Sequence, residues 1–368
     1  MVSEKRIMLL VTEDCNLRCS YCYEHRKNSK VMSFETAKII LDKHLMGMKP
    51  ENNVVIEVFG GEAFLNFPLI RKIDDYVHDN FPQINVMYET TTNGTLVHGE
   101  IQDWLSKNKD RFFIALSLDG TKFMHNLNRR TVDGRNSFEM IDIEFFQKTW
   151  PGCPAKMTIS RQTLPYMSEG IMYIDELGFK SDTTLSIGVD WDISEAVPIL
   201  IKELTKLIDY YIRNPDIQLC TLLNIDFRMY LVPFDENYRF CGAGLDMICY
   251  DALGNVYPCQ GFAPVSIGEL SKEYQNFDEK NFRFSEKNIC KECPLVRLCS
   301  NCYAANLQST NDIQVVDKNL CQIYKICILA SAKIQYLRIL AKQEFSRDDQ
   351  LILKSIEEIQ KHIQISSC

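Results

Sequence analysis

Lys5-Arg-Ile-Met-Leu-Leu-Val11 leads within a few residues into Cys15-Asn-Leu-Arg-Cys19-Ser-Tyr-Cys22-Tyr-Glu24. The first seven residues are a β-rich run. The cysteines lie in a polar loop, and Ser33 then opens a helix as its N-cap. Strand, loop and helix in that order make one βα unit, and working outward the unit recurs. Residues 54–59 read as a strand before a helix over about 67–80. Residues 86–92 precede a helix near 98–107, and 113–118 precede one near 137–149. Residues 156–160 lead to a helix ending before Gly178, and 185–189 lead to a long helix through Ile212. Six such units in series call for an α/β fold with a parallel sheet and right-handed crossovers. Periodicity leaves a partial barrel and a doubly wound sheet both open.

A break at Arg213-Asn214-Pro215 ends the repeat. Beyond about residue 236 the sequence becomes hairpin-like and cysteine-rich, with an Asp251-Ala-Leu-Gly254-Asn255 turn between strands. From about Leu320 it is helical again, closing on an amphipathic stretch over 348–363. The chain thus divides into a core domain over 1–214, a linker over 215–240, a cysteine-rich domain over 241–325 and a helical segment over 326–368.

With 368 residues and 46% apolar content, the chain can bury one large core and a smaller one. A formal net charge of −8 lacks the basic footprint of a nucleic-acid binder. The apolar run near the N-terminus is too short for a signal peptide, and no run reaches the ~18–20 residues that span a bilayer. A cytoplasmic protein with neither nucleic-acid nor membrane partners is expected. Its fifteen cysteines then need a reason, because reducing surroundings disfavour a disulfide framework in a long chain. Three fall within residues 15–22 and eight lie from Cys241 to Cys321, and such clustering points to metal ligation.

Three thiolates at spacings of four and three residues can converge in one tight loop. Three ligands hold three irons of a four-iron cluster and leave the fourth iron open to a reactant. The spacing alone leaves a zinc loop or a redox thiol pair open as well. Cys15-x3-Cys19-x2-Cys22, with aromatic Tyr21, resembles the signature of the radical S-adenosylmethionine superfamily. Phe59-Gly60-Gly61-Glu62 follows the second strand, Thr91-Thr92-Asn93-Gly94 the third and Ser117-Leu118-Asp119-Gly120 the fourth, in the order that family shows. Chemistry in barrel-like α/β proteins gathers at these carboxyl ends of strands.

The resemblance covers about residues 5–214 and implies a partial (β/α)6 barrel. It implies a [4Fe-4S] cluster on Cys15, Cys19 and Cys22, with S-adenosylmethionine chelating the open iron. Tyr21, Gly60, Gly61, Glu62, Asn93, Ser117, Asp119 and Arg129 would line that cofactor. Gly60, Gly61 and Glu62 would meet its amino group, Ser117 and Asp119 its ribose or carboxylate, and Arg129 its carboxylate. Turn or cap duty is the plain alternative for each polar residue. Family members usually carry proline after Gly-Gly-Glu, whereas Ala63 stands here. The implied chemistry is a one-electron cleavage that forms a 5′-deoxyadenosyl radical, with the electron drawn from a reductant such as flavodoxin or ferredoxin.

The second cysteine field runs Cys241, Gly254, Cys259, Cys290-x2-Cys293-x5-Cys299-x2-Cys302 and Cys321. It resembles the SPASM domain, which holds two auxiliary [4Fe-4S] clusters, although the last internal pair is usually three residues apart. The resemblance assigns Cys241, Cys259 and Cys302 to the first auxiliary cluster. Cys290, Cys293, Cys299 and Cys321 go to the second, making three clusters in all. Either Cys249 completes the first auxiliary cluster or an iron is left for a substrate thiolate. Zinc is the alternative for such Cys-x2-Cys pairs. Cys153, Cys220, Cys327 and Cys368 fit no motif and read as packing or surface thiols.

Auxiliary-cluster enzymes of this kind mostly modify ribosomally made peptides or protein side chains. A peptide maturase forming thioether or carbon–carbon cross-links is therefore expected, with a precursor peptide as partner. Formylglycine formation on a sulfatase is an alternative, but such enzymes carry an aspartate after the Tyr-Pro-Cys segment, and here Gln260 follows Cys259. A non-catalytic electron carrier would not need the strand-end motifs. Glu24, Asp190 and Asp192 are the acid/base candidates, with solvated loop duty as their alternative. Only fourteen residues precede Cys15, so leader recognition is expected from a separate protein or from a groove of barrel and C-terminal helices.

Overall fold

A computed structural model describes residues 4–233, 240–275, 277–278 and 282–366. The chain folds as two compact units, residues 1–156, 177–179 and 242–281 in one and 157–176, 180–241 and 282–368 in the other.

The first unit is built on β1 (Glu4–Thr12), where Ile7 to Val11 are at most 1% exposed. Five consecutive apolar side chains suit a parallel strand covered on both faces. Around it stand β2 (Asn53–Gly60), β3 (Asn85–Thr92), β4 (Phe112–Ser117) and the first residues of β5 (Pro154–Ile159). Parallel pairing runs β1–β2, β2–β3, β3–β4 and β4–β5. From β1 to β5 the strands follow one another in chain order, without the mid-run reversal of a doubly wound sheet. The crossover helices are α1 (Phe34–Leu45), capped by Ser33 as expected, α2 (Phe67–Asn80) and α3 (Glu100–Asn108), then α4 (Lys122–Asn128) and α5 (Ile143–Thr149). Arg6 of β1 bonds Glu57 of β2 and Glu89 of β3, joining three strands across the sheet.

A hairpin of β7 (Met247–Tyr250) and β8 (Val256–Tyr257) also belongs to this unit. β7 pairs in parallel with β1, setting Cys249 opposite Met8. Asp251 closes the turn by accepting from the Leu253 and Asn255 backbone N–H groups.

The second unit holds α6 (Met167–Glu176), β6 (Lys180–Leu185), α7 (Ile193–Arg213), α9 (Tyr303–Thr310), α10 (Lys318–Leu340) and α11 (Arg347–Ser366). The short α8 (Pro264–Ile267) lies in the first unit. Phe227, Leu295, Leu298, Ile328, Ala332, Ile356 and Ile359 form an apolar core here.

Two expectations are corrected. The sixth strand lies over Lys180–Leu185 rather than 185–189, because Thr183 and Thr184 extend the β-branched run backward and Gly188 turns the chain at φ +67°. The helix expected near 137–149 is a 3-10 turn, Phe138–Met140, followed by α5 behind the Asp142 cap. The seven-residue α4, capped by Thr121, is too short to leave a periodic signal. No helix among the described residues is long and apolar enough to cross a membrane.

Arg338 of α10 closes the C-terminal end of α7, donating to the carbonyls of Tyr211, Asn214 and Ile217 at 2.9–3.1 Å. Replacing it with methionine keeps the packing stem but strands these acceptors. Arg338→Met is expected to cost about 2 kcal/mol, read as a lower denaturation midpoint of the second unit.

Candidate active site at the cysteine loop

The cysteine loop leaves the carboxyl end of β1 with little regular structure of its own. It is held on two sides by backbone. On one side, Gly61 N donates to Thr12 O (3.3 Å) and Glu62 N to Asp14 O (2.9 Å). The approach is so close that a Cβ on Gly60 would lie 2.2 Å from Thr12 O, and one on Gly61 2.2 Å from Asp14 O. The glycines are thus required by the loop itself. On the other side, Arg18 N donates to Arg130 O (2.7 Å), Ser20 N to Asn128 O (2.9 Å) and Val132 N to Asn16 O (3.2 Å), an irregular antiparallel pairing.

Within the loop Cys15 is buried, while Cys19 and Cys22 are partly exposed. Burial pushes the Cys15 thiol up to about 12 and that of Cys19 up to about 11, so a metal must displace each proton. Lys27 donates from Nζ to Cys22 Sγ at 2.9 Å, placing a cation beside that sulfur.

The strand-end motifs meet around this loop. Glu62 is 2% exposed, and burial raises its pKa against three donors: Asn93 N (2.8 Å), Thr92 Oγ1 (2.8 Å) and Phe64 N (3.2 Å). Asn93 in turn donates to Asn16 Oδ1 at 2.9 Å and stands 4.0 Å from Cys15 Sγ. Ser117 closes β4. Two residues on, Asp119 is fully buried. It accepts from Arg129 Nη2 on Oδ1 (3.0 Å), and from Tyr21 OH (2.6 Å) and Asn128 Nδ2 (3.1 Å) on Oδ2. Arg129 lies over the Tyr21 ring, 5.5 Å from its centroid.

His125 supports this pair from behind. Its Nδ1 faces Asp119 N at 3.4 Å, and its Nε2 faces Ser137 Oγ at 3.1 Å. Ser137 donates to Arg129 O at 2.6 Å. With Nδ1 accepting from an amide, the proton sits on Nε2 and the imidazole is neutral. Burial, and next the Arg129 charge, lower its pKa to about 4.

These residues fit a cluster with a zwitterionic partner. Cys19 lies beside both Cys15 and Cys22 in the loop, and soft thiolates suit iron–sulfur ligation. Arg129 Nε is a buried donor with no acceptor, and Glu24 Oε1 is a buried acceptor with no donor. Among the described residues no three Cys, His, Asp or Glu side chains are gathered as around a single metal ion.

Residues 5–139 match the family model described as a 4Fe-4S single cluster domain. The chain is 25% identical to the radical SAM cyclopropyl synthase TigE of Paramaledivibacter caminithermalis, over 88% of this chain and 73% of that one. It is 24% identical to the cysteine-type anaerobic sulfatase-maturating enzyme of Clostridium perfringens (strain ATCC 13124), over 84% and 91% respectively. The chain belongs to the radical S-adenosylmethionine superfamily, in its SPASM-domain branch. The solved structure of native anSMEcpe with bound AdoMet and Cp18Cys peptide shares its fold, at a TM-score of 0.72 and 21% identity, over 92% of this chain and 100% of that one. The fold is therefore the partial (β/α)6 barrel with a cysteine-rich extension and terminal helices. This radical SAM enzyme uses an iron–sulfur cluster and S-adenosylmethionine.

Its second cysteine field is split between the units. Cys290, Cys293, Cys299 and Cys321 lie together in the second unit. Burial pushes the thiols of Cys290 and Cys299 up to about 12, and the neighbouring sulfurs add to the rise. Cys302 has Cys241 as a neighbour in the same unit. In the first unit, Cys249 is wholly buried beside Cys259. Cys153, Cys220 and Cys327 are buried packing thiols, and Cys368 lies outside the described residues.

The carboxylate candidates differ. Glu24 is 4% exposed and burial lifts its pKa to about 7, with Lys27 at 3.8 Å opposing the rise. Asp192 is exposed and caps α7, and its bonds from Ser194 and Glu195 hold its carboxyl below the usual range, which makes a poor base. Asp190 is exposed, and its carbonyl accepts from Arg161.

Asn16, Lys27, His125, Asn128 and Ser137 were not singled out from the sequence. His125 and Asn128 are three residues apart on α4, so their shared helix face was the available signal.

Two outcomes follow from this packing. Gly61→Ala is expected to destabilise the protein by about 1–3 kcal/mol and to lower the iron bound at the loop, checked by thermal melting and iron assay. The unfolded chain takes up the proton that buried His125 refuses, so His125 contributes stability that is lost as pH drops from about 6.5 toward 4, while Glu24 and Asp175, lifted to about 7 and about 6, contribute in the opposite sense. His44, also lowered to about 4, behaves alike. His125→Gln should lose less stability than the wild type between about pH 6.5 and about pH 4, read from denaturation curves recorded across this range.

Proposed function

We propose that this enzyme is a peptide maturase that oxidatively modifies a side chain of a ribosomally made precursor, by a thioether or carbon–carbon cross-link. The observation that carries the reading is the second cysteine field, with four thiols gathered in the second unit, Cys241 beside Cys302 in that unit, and Cys249 beside Cys259 in the first. Such a field is what net oxidation needs, since a substrate radical must give up its electron to a second acceptor. In this reading the enzyme carries three [4Fe-4S] clusters. Cys15, Cys19 and Cys22 hold the first, with Cys241, Cys259 and Cys302 on one auxiliary cluster and Cys290, Cys293, Cys299 and Cys321 on the other. Cys249, buried beside Cys259, would supply the missing ligand, or the open iron would take a substrate thiolate.

When bound, cluster and S-adenosylmethionine supply one-electron cleavage and a hydrogen-abstracting radical. The chain's own residues position and shield. Arg129 Nε offers a charge-assisted donor to a carboxylate, and Ser117 at the end of β4 offers a hydroxyl to the ribose. Glu62 and Asn93 brace the loop on the glycine side, and Lys27 offsets thiolate charge at Cys22. An external reductant such as flavodoxin or ferredoxin would deliver the electron in the cytoplasm.

The anSMEcpe structure that shares this fold carries a bound peptide, which supports a peptide substrate. Formylglycine formation is the second reading, favoured by the sulfatase-maturating relative. Against it stands Gln260 after Cys259, a side chain that cannot act as a base near neutral pH.

The anaerobically reconstituted, reduced enzyme should release 5′-deoxyadenosine from S-adenosylmethionine, and Cys15→Ala should abolish the release. Absence of product from protein with an intact first cluster would refute the reading. Mass spectrometry of a co-expressed precursor separates the alternatives. A thioether removes a pair of hydrogens and keeps all sulfur, whereas formylglycine made from cysteine loses the sulfur. Cys299→Ala should preserve the uncoupled release while reducing cross-linked peptide at least tenfold.

A further inference from the structure

Asp119 is an expected contact of the cofactor's ribose or carboxylate, yet its geometry serves another purpose. Its side chain is fully buried, and both oxygens take donors from within the protein. Those donors are telling. Tyr21 lies inside the cysteine loop between Cys19 and Cys22, and Arg129 and Asn128 lie in the segment that pairs with the loop backbone. Meanwhile Arg129 spends Nη2 on Asp119 and keeps Nε buried without an acceptor. The His125–Ser137 relay fixes the Asp119 amide and the Arg129 carbonyl in the same frame.

We propose that Asp119 is a positioning residue: it locks Tyr21 and aims the unpaired Nε of Arg129 at an anionic carboxylate, and it does not itself touch the ribose. The inference rests on the S-adenosylmethionine site set out above, in which Arg129 takes the carboxylate, and adds what holds that arginine in place. A buried carboxylate engaged by three donors has little capacity left for a hydroxyl. A buried guanidinium donor without a partner is costly unless a ligand completes it. The carboxylate of the bound molecule is the group on it that suits such a donor.

Two fragments separate the possibilities. L-Methionine carries the amino and carboxylate groups without a ribose; 5′-deoxyadenosine carries the ribose without a carboxylate. Both are titrated against the full chain with its first cluster rebuilt anaerobically, methionine by the shift it causes in the reduced cluster's electron paramagnetic resonance, 5′-deoxyadenosine by equilibrium dialysis. Asp119→Asn should weaken methionine about tenfold or more and leave 5′-deoxyadenosine within about twofold. Tyr21→Phe, which keeps the ion pair, should weaken methionine several-fold in the same selective way, and it carries the test if Asp119→Asn binds no iron. Selective loss of 5′-deoxyadenosine, equal loss of both fragments or no loss of either would overturn the proposal. A wild-type cluster whose spectrum ignores S-adenosylmethionine itself would instead remove the site reading on which the proposal stands.

Discussion

A loop that must present three sulfur atoms to one cluster cannot rely on a helix or strand for its shape, so its backbone has to be tied down from outside. Here the tie is a pair of close backbone approaches. The Gly60-Gly61 peptide lies against Thr12 and Asp14, and residues 128–132 pair with residues 16–20. The rest of the first unit can be understood as what delivers those two backbones to one place. β1 and β2 run parallel in a register that ends with Thr12 beside Gly60, and α4 returns the chain from β4 to the far side of the loop.

Buried charge is the second theme. An ion pair such as Asp119–Arg129 loses hydration on both sides, and its mutual attraction only offsets that cost when the remaining donors and acceptors are satisfied. Asp119 meets that condition through Tyr21 and Asn128, whereas Arg129 retains one unmatched donor. Glu62, surrounded by two backbone amides and a hydroxyl, follows the same logic on the glycine side. A polar interior of this kind is rigid when complete, and the gaps that remain mark where a ligand belongs.

The hairpin β7–β8 shows how a linear division of the chain can differ from its packing. By motif it opens the cysteine-rich region, and in space its first strand extends the parallel sheet beyond β1. Cys249 is thereby carried to the level of Met8, into surroundings as dry as the barrel core. Distance along the chain gave no hint of that pairing, because a parallel partner 241 residues away leaves no local trace.

What the sequence determined by itself was local or repetitive: the alternation of strand and helix, the Ser33 cap, the Asp251 turn, and the cysteine spacings that pointed to clusters rather than disulfides. These are legible because backbone propensity and ligand spacing act over a few residues. Tertiary structure decided the choice of barrel over doubly wound sheet, since strand order is a long-range property. It also decided that Asp192 is a helix cap and that Asp119 faces inward to Tyr21 and Arg129. A carboxylate's task depends on which donors surround it, and those donors come from segments that only folding brings together.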